Sequence, residues 1–122
     1  MEINYPQIKR RPLVGEYAAS LESVQKVMGG IENVSYYKGL FPGTSKPIEN
    51  KKFSLVHLDL DLYRATHDSL VFFYPRMNKG GVIISHDYYG CPGVRKAFDD
   101  FFADKPEPLI TQAASQVLIV KT

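Results

Sequence analysis

Two short runs in this sequence concentrate groups that can hold a cation or move a proton. They are His57-Leu58-Asp59-Leu60-Asp61-Leu62-Tyr63 and Ser85-His86-Asp87-Tyr88-Tyr89. Each follows an apolar stretch, Phe53-Ser54-Leu55-Val56-His57-Leu58 in one case and Val82-Ile83-Ile84 in the other. Stretches of that kind read as strands buried on both faces of a parallel sheet. If the two strands are neighbours, Asp59, Asp61, His86 and Asp87 converge at one sheet edge. Carboxylates gathered there repel one another unless a cation or a shared proton offsets the charge. Oxygen donors with one imidazole suit Mg²⁺ or Mn²⁺ better than zinc. Spacing alone explains the acids equally well as helix caps or solvated loop residues, with Asp61 and Asp87 bonding nearby backbone N–H groups. His57, inside an apolar strand, reads as a hydrogen-bonded core residue rather than a ligand. Tyr88 and Tyr89 either line a pocket or cover it.

The elements that must position these groups are legible from periodicity and punctuation. Residues 1–16 hold Pro6, Pro12 and Gly15 around Lys9-Arg10-Arg11 and read as an extended lead-in to one folded part, 17–122. A helix is expected over 18–28, with Leu21, Val24 and Met28 on one side and Gly29-Gly30 as its stop. Val34-Ser35-Tyr36-Tyr37 reads as a short strand, and 41–52 as a loop with one irregular turn. Thr66 is expected to cap a helix that runs to about Tyr74 and stops at Pro75, with Leu70, Val71, Phe73 and Tyr74 on its buried side. Gly80-Gly81 then launches the second buried strand. Pro92 suits a first helical turn, and Val94, Ala97, Phe98, Phe101 and Phe102 follow at helical spacing. Pro106 and Pro108 separate that helix from two final strands, near 109–111 and 116–120. Strands alternating with helices predict an α/β layered sheet with parallel crossovers, whose ligands sit beyond the carboxyl ends of the strands.

Composition narrows the partners. The chain has 122 residues, enough for one domain, with 44% hydrophobic and 23% charged residues as in ordinary globular proteins. Its net charge of +2 leaves no footprint for nucleic acid or an anionic membrane surface. The longest apolar runs fall far short of the ~20 residues needed to span a bilayer. The charged start, with Glu2, Lys9, Arg10 and Arg11, is unlike a signal peptide. Cys91 is the single cysteine, and no Cys/His cluster has zinc spacing. These features predict a reduced, soluble, cytoplasmic domain.

One series of motifs is more specific. It comprises His57-Leu58-Asp59-Leu60-Asp61-Leu62-Tyr63-Arg64-Ala65-Thr66, Tyr74-Pro75-Arg76-Met77, Gly80-Gly81-Val82-Ile83-Ile84, His86-Asp87-Tyr88 and Cys91-Pro92-Gly93-Val94-Arg95-Lys96-Ala97 with Phe101. Together with Lys38-Gly39-Leu40-Phe41-Pro42-Gly43-Thr44 upstream, this series resembles the macrocin O-methyltransferase family over about residues 17–120. That resemblance implies a metal-dependent, class I, S-adenosylmethionine-using enzyme that methylates a sugar hydroxyl of an antibiotic or polysaccharide. It implies Asp59 as metal ligand and general base, Asp61 as the second acid of its motif, and Mg²⁺ or Mn²⁺ as the ion. It also places His86 and Asp87 where the family carries an Asp-Asp pair that completes the metal site, so histidine here replaces an acid. Tyr63 and Tyr88 are expected to contact the acceptor.

The resemblance begins downstream of the family's cofactor half. No apolar strand followed by a glycine-rich turn precedes Met28, and Gly15 stands alone. In the implied strand order 3-2-1-4-5-7-6, the first two strands are therefore missing. The expectation is a truncated Rossmann-like class I methyltransferase sheet of about five strands and three helices. Strand 53–59 would then have an exposed edge, through which the chain could form a homo-oligomer. The contrasting reading is a non-catalytic fragment that associates with itself or with a longer relative. Asp59-Leu60-Asp61 also resembles the nucleophile motif of haloacid-dehalogenase-type phosphatases. Tyr63, however, stands where those have Thr or Val, and Lys79 is only loosely placed for their lysine.

Overall fold

The computed structural model describes residues 14–16, 18–112 and 115–122. Most of the lead-in expected over 1–16 lies outside the described residues, and residues 14–16 form a turn. The chain divides into two compact units between Lys38 and Gly39.

In the first unit, α1 (Leu21–Val27) is capped by Ser20, whose Oγ accepts the Ser23 N–H at 3.1 Å. None of its residues is buried, although Leu21, Val24 and Met28 have the spacing of a core face. The strand expected at Val34–Tyr37 does not form. Among the described residues these positions have no ladder partner, and backbone N–H and C=O groups without one do not make a strand.

The second unit holds a four-stranded sheet, not the expected five, in the order β1 (Phe53–Leu58), β2 (Met77–Ser85), β4 (Gln116–Val120), β3 (Ile110–Gln112). β1 and β2 are parallel and joined through α2 (Tyr63–Phe73), whereas β4 runs antiparallel to both its neighbours. This arrangement reproduces the 4-5-7-6 end of the strand series implied by the resemblance.

Helix α2 starts one turn before Thr66. Leu62 is extended and its carbonyl accepts the Thr66 N–H at 3.0 Å, so the first helical bond forms upstream of the expected cap. Thr66 is buried inside the helix instead. β2 also begins earlier than Val82. Gly80 turns with φ +80, a conformation that favours glycine, and the β1 pairing jumps there from Phe53↔Met77 to Leu55↔Val82.

Side chains alternate across the sheet. Val56, Leu58, Ile83, Val117 and Ile119 pack with Leu70 of α2 and with Val94, Phe98 and Phe102 of α3 (Pro92–Phe102). The opposite face carries Leu55, Val120 and Ile110, which are 66%, 41% and 39% exposed, and the half-buried Val82, Ile84 and Leu118. No helix of residues 39–122 covers it. The outer edge of β1 is unpaired among the described residues.

The far end of the sheet is fastened by one buried acid. Glu107, 2% exposed, accepts from the Tyr74 hydroxyl at 2.8 Å and from Lys121 Nζ at 3.0 Å. The backbone N–H and the hydroxyl of Thr122 add bonds of 3.2 and 3.0 Å. Burial alone would raise its pKa, but these donors outweigh burial and hold the carboxyl down at about 2. No described helix is long and apolar enough to cross a membrane.

Candidate active site

The two acidic runs meet where the parallel pair ends. β1 pairs with β2 through Leu58↔Ser85, and the His86 N–H donates to the Leu58 carbonyl at 3.0 Å. That bond sets the loop after β2 beside the loop after β1. As a result, donor atoms of Asp59, His86 and Asp87 all lie within 4.8 Å of one another, as do those of Asp61, Asp87 and Cys91. Asp87 belongs to both groups. The sequence reading expected Asp59, Asp61, His86 and Asp87 at one edge; the structure groups Asp59 with His86 and Asp87, and Asp61 with Asp87 and Cys91, whose Sγ is 3.9 Å from Asp61 Oδ1.

The loops that carry these groups are held in unusual backbone. Asp61 and Asp87 have φ values of 58° and 60°, left-handed conformations that few non-glycine residues adopt but aspartate tolerates. Local bonds fix the second loop. The Asp87 carbonyl accepts the Cys91 N–H at 2.8 Å. The Ser115 carbonyl accepts from Tyr88 N–H at 2.8 Å, and its hydroxyl accepts from the N–H groups of Tyr89 and Gly90 at 2.8 and 3.0 Å. Ser115 is thus a positioning residue with no signal in the sequence, since it lies more than two dozen residues from the loop it clamps.

The electrostatics follow from the crowding. Burial raises the pKa of Asp61, and the charges of Asp87 and Asp59 raise it further. His86 Nδ1 donates to Asp87 Oδ2 at 2.8 Å, and this bond raises the imidazole's pKa against the opposing effect of burial. Burial, then the neighbouring acids, pushes the Cys91 thiol up. Three carboxylates beside one imidazole leave an excess of negative charge that a divalent cation would neutralise. Carboxylate oxygens and one imidazole are the donors such an ion takes, so the donor set fits the metal that the family implies.

The two tyrosines expected to contact the acceptor both bond to acids of α3. The Tyr63 hydroxyl donates to Asp100 of α3 at 3.0 Å, and Lys96 pairs with the same carboxylate at 2.6 Å. Tyr88 is 6% exposed, and its hydroxyl donates to Asp99 at 2.6 Å. Burial and that bond push its pKa up to about 12. Both phenols are therefore occupied by acids of α3. His57 is not a core residue. Strand alternation puts it opposite Val56 and Leu58, exposed on the uncovered sheet face.

The starts of α2 and α3 nearly touch. A Cβ built on Gly93 would lie 2.8 Å from the Tyr63 nitrogen, closer than real side chains come to backbone. Gly93→Ala is expected to cost about 1–3 kcal/mol of stability by forcing the helix starts apart, which urea unfolding would read. A loss of a few tenths or less would show that the two loops give way freely.

Comparisons with known proteins agree with this geometry. The sequence pattern described as Macrocin-O-methyltransferase (TylF) matches residues 20–115. Demethyldecarbamoylnovobiocin O-methyltransferase of Streptomyces niveus is 34% identical over 82 residues, which cover 66% of this chain and 31% of that protein. The solved structure of the O-methyltransferase NovP superposes with a TM-score of 0.71 at 30% identity, covering 83% of this chain and 43% of the other. The chain thus spans less than half the length of the relatives it matches. With the sheet order, the carboxyl-end acids and this match over most of its residues, the chain belongs to the macrocin O-methyltransferase family.

Proposed function

We propose that residues 39–122 supply the metal and acceptor side of an S-adenosylmethionine-dependent O-methyltransferase acting on a sugar hydroxyl of a natural product or polysaccharide. The convergence of Asp59, His86 and Asp87 at the carboxyl ends of β1 and β2, in a chain of this family, carries the reading. Asp59, His86 and Asp87 would hold a divalent ion, with Asp61 as the second acid of the first run. Bound there, the ion would supply positive charge beside the acceptor oxygens and lower the pKa of one hydroxyl. Asp59, which is exposed, would take that proton on a carboxylate oxygen as general base. The bonds from Ser115 to the loop of Asp87, and the Cys91 N–H bond to the Asp87 carbonyl, hold that acid in position for the acceptor.

The methyl donor is a separate matter. No glycine-rich turn after a strand stands among the described residues to cradle S-adenosylmethionine, and no donor-binding residue is assigned. The sheet face that no helix of residues 39–122 covers, and the β1 edge unpaired among the described residues, favour a second reading, in which this chain works only when completed by another surface. A second copy or a longer relative would serve.

Calorimetric titration of S-adenosylmethionine into the folded chain, with and without Mg²⁺, tests both readings. We expect weak or no binding by the chain alone. Tight binding, with turnover of a sugar acceptor that Asp59→Ala abolishes, would show that the chain is a complete enzyme. Sedimentation of the same sample reads self-association.

A further inference from the structure

We infer that this centre selects a borderline divalent ion, of the Mn²⁺ or Co²⁺ kind, over Mg²⁺, and that His86 is the residue responsible. The inference rests on the metal reading above and goes further by naming the ion class and the side chain that sets it. His86 Nδ1 stands 2.8 Å from Asp87 Oδ2, a spacing at which one ion can take both atoms in place of the proton between them. A carboxylate oxygen of Asp59 lies within the same 4.8 Å group.

The ion therefore meets one nitrogen and two carboxylates. An acid at position 86 would present a third negative oxygen. Mg²⁺ draws its binding energy from hard oxygen donors and their charge, and loses both when imidazole replaces carboxylate. Mn²⁺ and Co²⁺ take imidazole readily, and Co²⁺ more so than Mn²⁺.

The test is calorimetric titration of MgCl₂, MnCl₂ and CoCl₂ into the folded chain and into His86→Asp. The native chain is expected to bind Co²⁺ more tightly than Mn²⁺, and Mn²⁺ more tightly than Mg²⁺. His86→Asp is expected to narrow the Co²⁺-to-Mg²⁺ gap by about tenfold or more, chiefly by tightening Mg²⁺. An unchanged gap in the variant, or equal Co²⁺ and Mg²⁺ affinity in the native chain, would overturn the inference and leave the metal site standing. A folded native chain that binds none of the three ions would overturn the metal reading itself, and this inference with it. Should His86→Asp fail to fold, His86→Asn gives the same contrast. It exchanges the nitrogen donor for an oxygen without adding charge, so the gap must again narrow, through weaker Co²⁺ binding.

Discussion

Glu107→Ala is expected to destabilise the fold by about 3–5 kcal/mol, the usual result of removing one partner of a buried pair. The native carboxylate satisfies the Tyr74 hydroxyl, Lys121 and two groups of Thr122, and its own side chain is out of solvent. Alanine removes the acceptor and leaves the donors behind, the costlier half of the exchange. Because domains of this size are stable by only about 5–15 kcal/mol, such a loss takes up a large share of the total. Urea unfolding should show the midpoint falling with an unchanged slope. A loss under about 1 kcal/mol would mean that water replaces the carboxylate at that corner.

The same residue shapes the acid limb of stability. Its folded pKa of about 2 lies below the ordinary value of 4.5. Between those two values the unfolded chain binds more protons than the folded one, so stability is lost as pH falls through this window. Asp61 acts in the opposite sense. Its raised pKa means the folded state holds a proton longer, so the site loses stability as pH rises past the usual carboxylate range. Glu107→Gln should flatten the first dependence and leave the second intact.

Asp87→Asn should lower divalent-ion affinity by about a hundredfold while leaving the fold as stable as before, or slightly more so. Asp87 is the residue common to both donor groups, so its charge counts for any ion placed in either. Asparagine tolerates the φ of 60° that Asp87 adopts, and the loop need not move. The variant also removes the charge that helps raise the pKa of Asp61, relieving repulsion in the empty-handed protein. Calorimetry with Mn²⁺ and parallel urea unfolding read the two effects separately. Unchanged Mn²⁺ affinity would place the ion, if any binds, away from Asp87. A large stability loss would mean that Asp87 holds the loop by its charge.

What the sequence disclosed was mostly local. Pro92 and the spacing of Val94, Ala97, Phe98, Phe101 and Phe102 gave α3 its limits, because a fixed φ and an apolar stripe are properties of the run itself. The run from Phe53 to Leu58 likewise declared β1. The meeting of Asp59 with His86 and Asp87 followed from the rule that parallel strands end at one edge. Tertiary pairings were hidden. Glu107, between two prolines, looked like part of a linker, yet it bonds to Tyr74 across 33 positions. The bond from the Tyr63 hydroxyl to Asp100, 37 residues on, was equally hidden. Val34–Tyr37 had strand chemistry without a neighbour, and Thr66 had cap chemistry one turn too late. For Glu107 and Tyr63 the partner was distant in sequence, where composition and period carry no information.

The one-sided sheet has a thermal consequence. Leu55, Val82, Ile84, Leu118, Val120 and Ile110 offer apolar area whose burial has almost no enthalpy near room temperature and a large negative heat capacity. A second layer packed against that face would therefore be held by an entropic force that strengthens on warming and slackens in the cold.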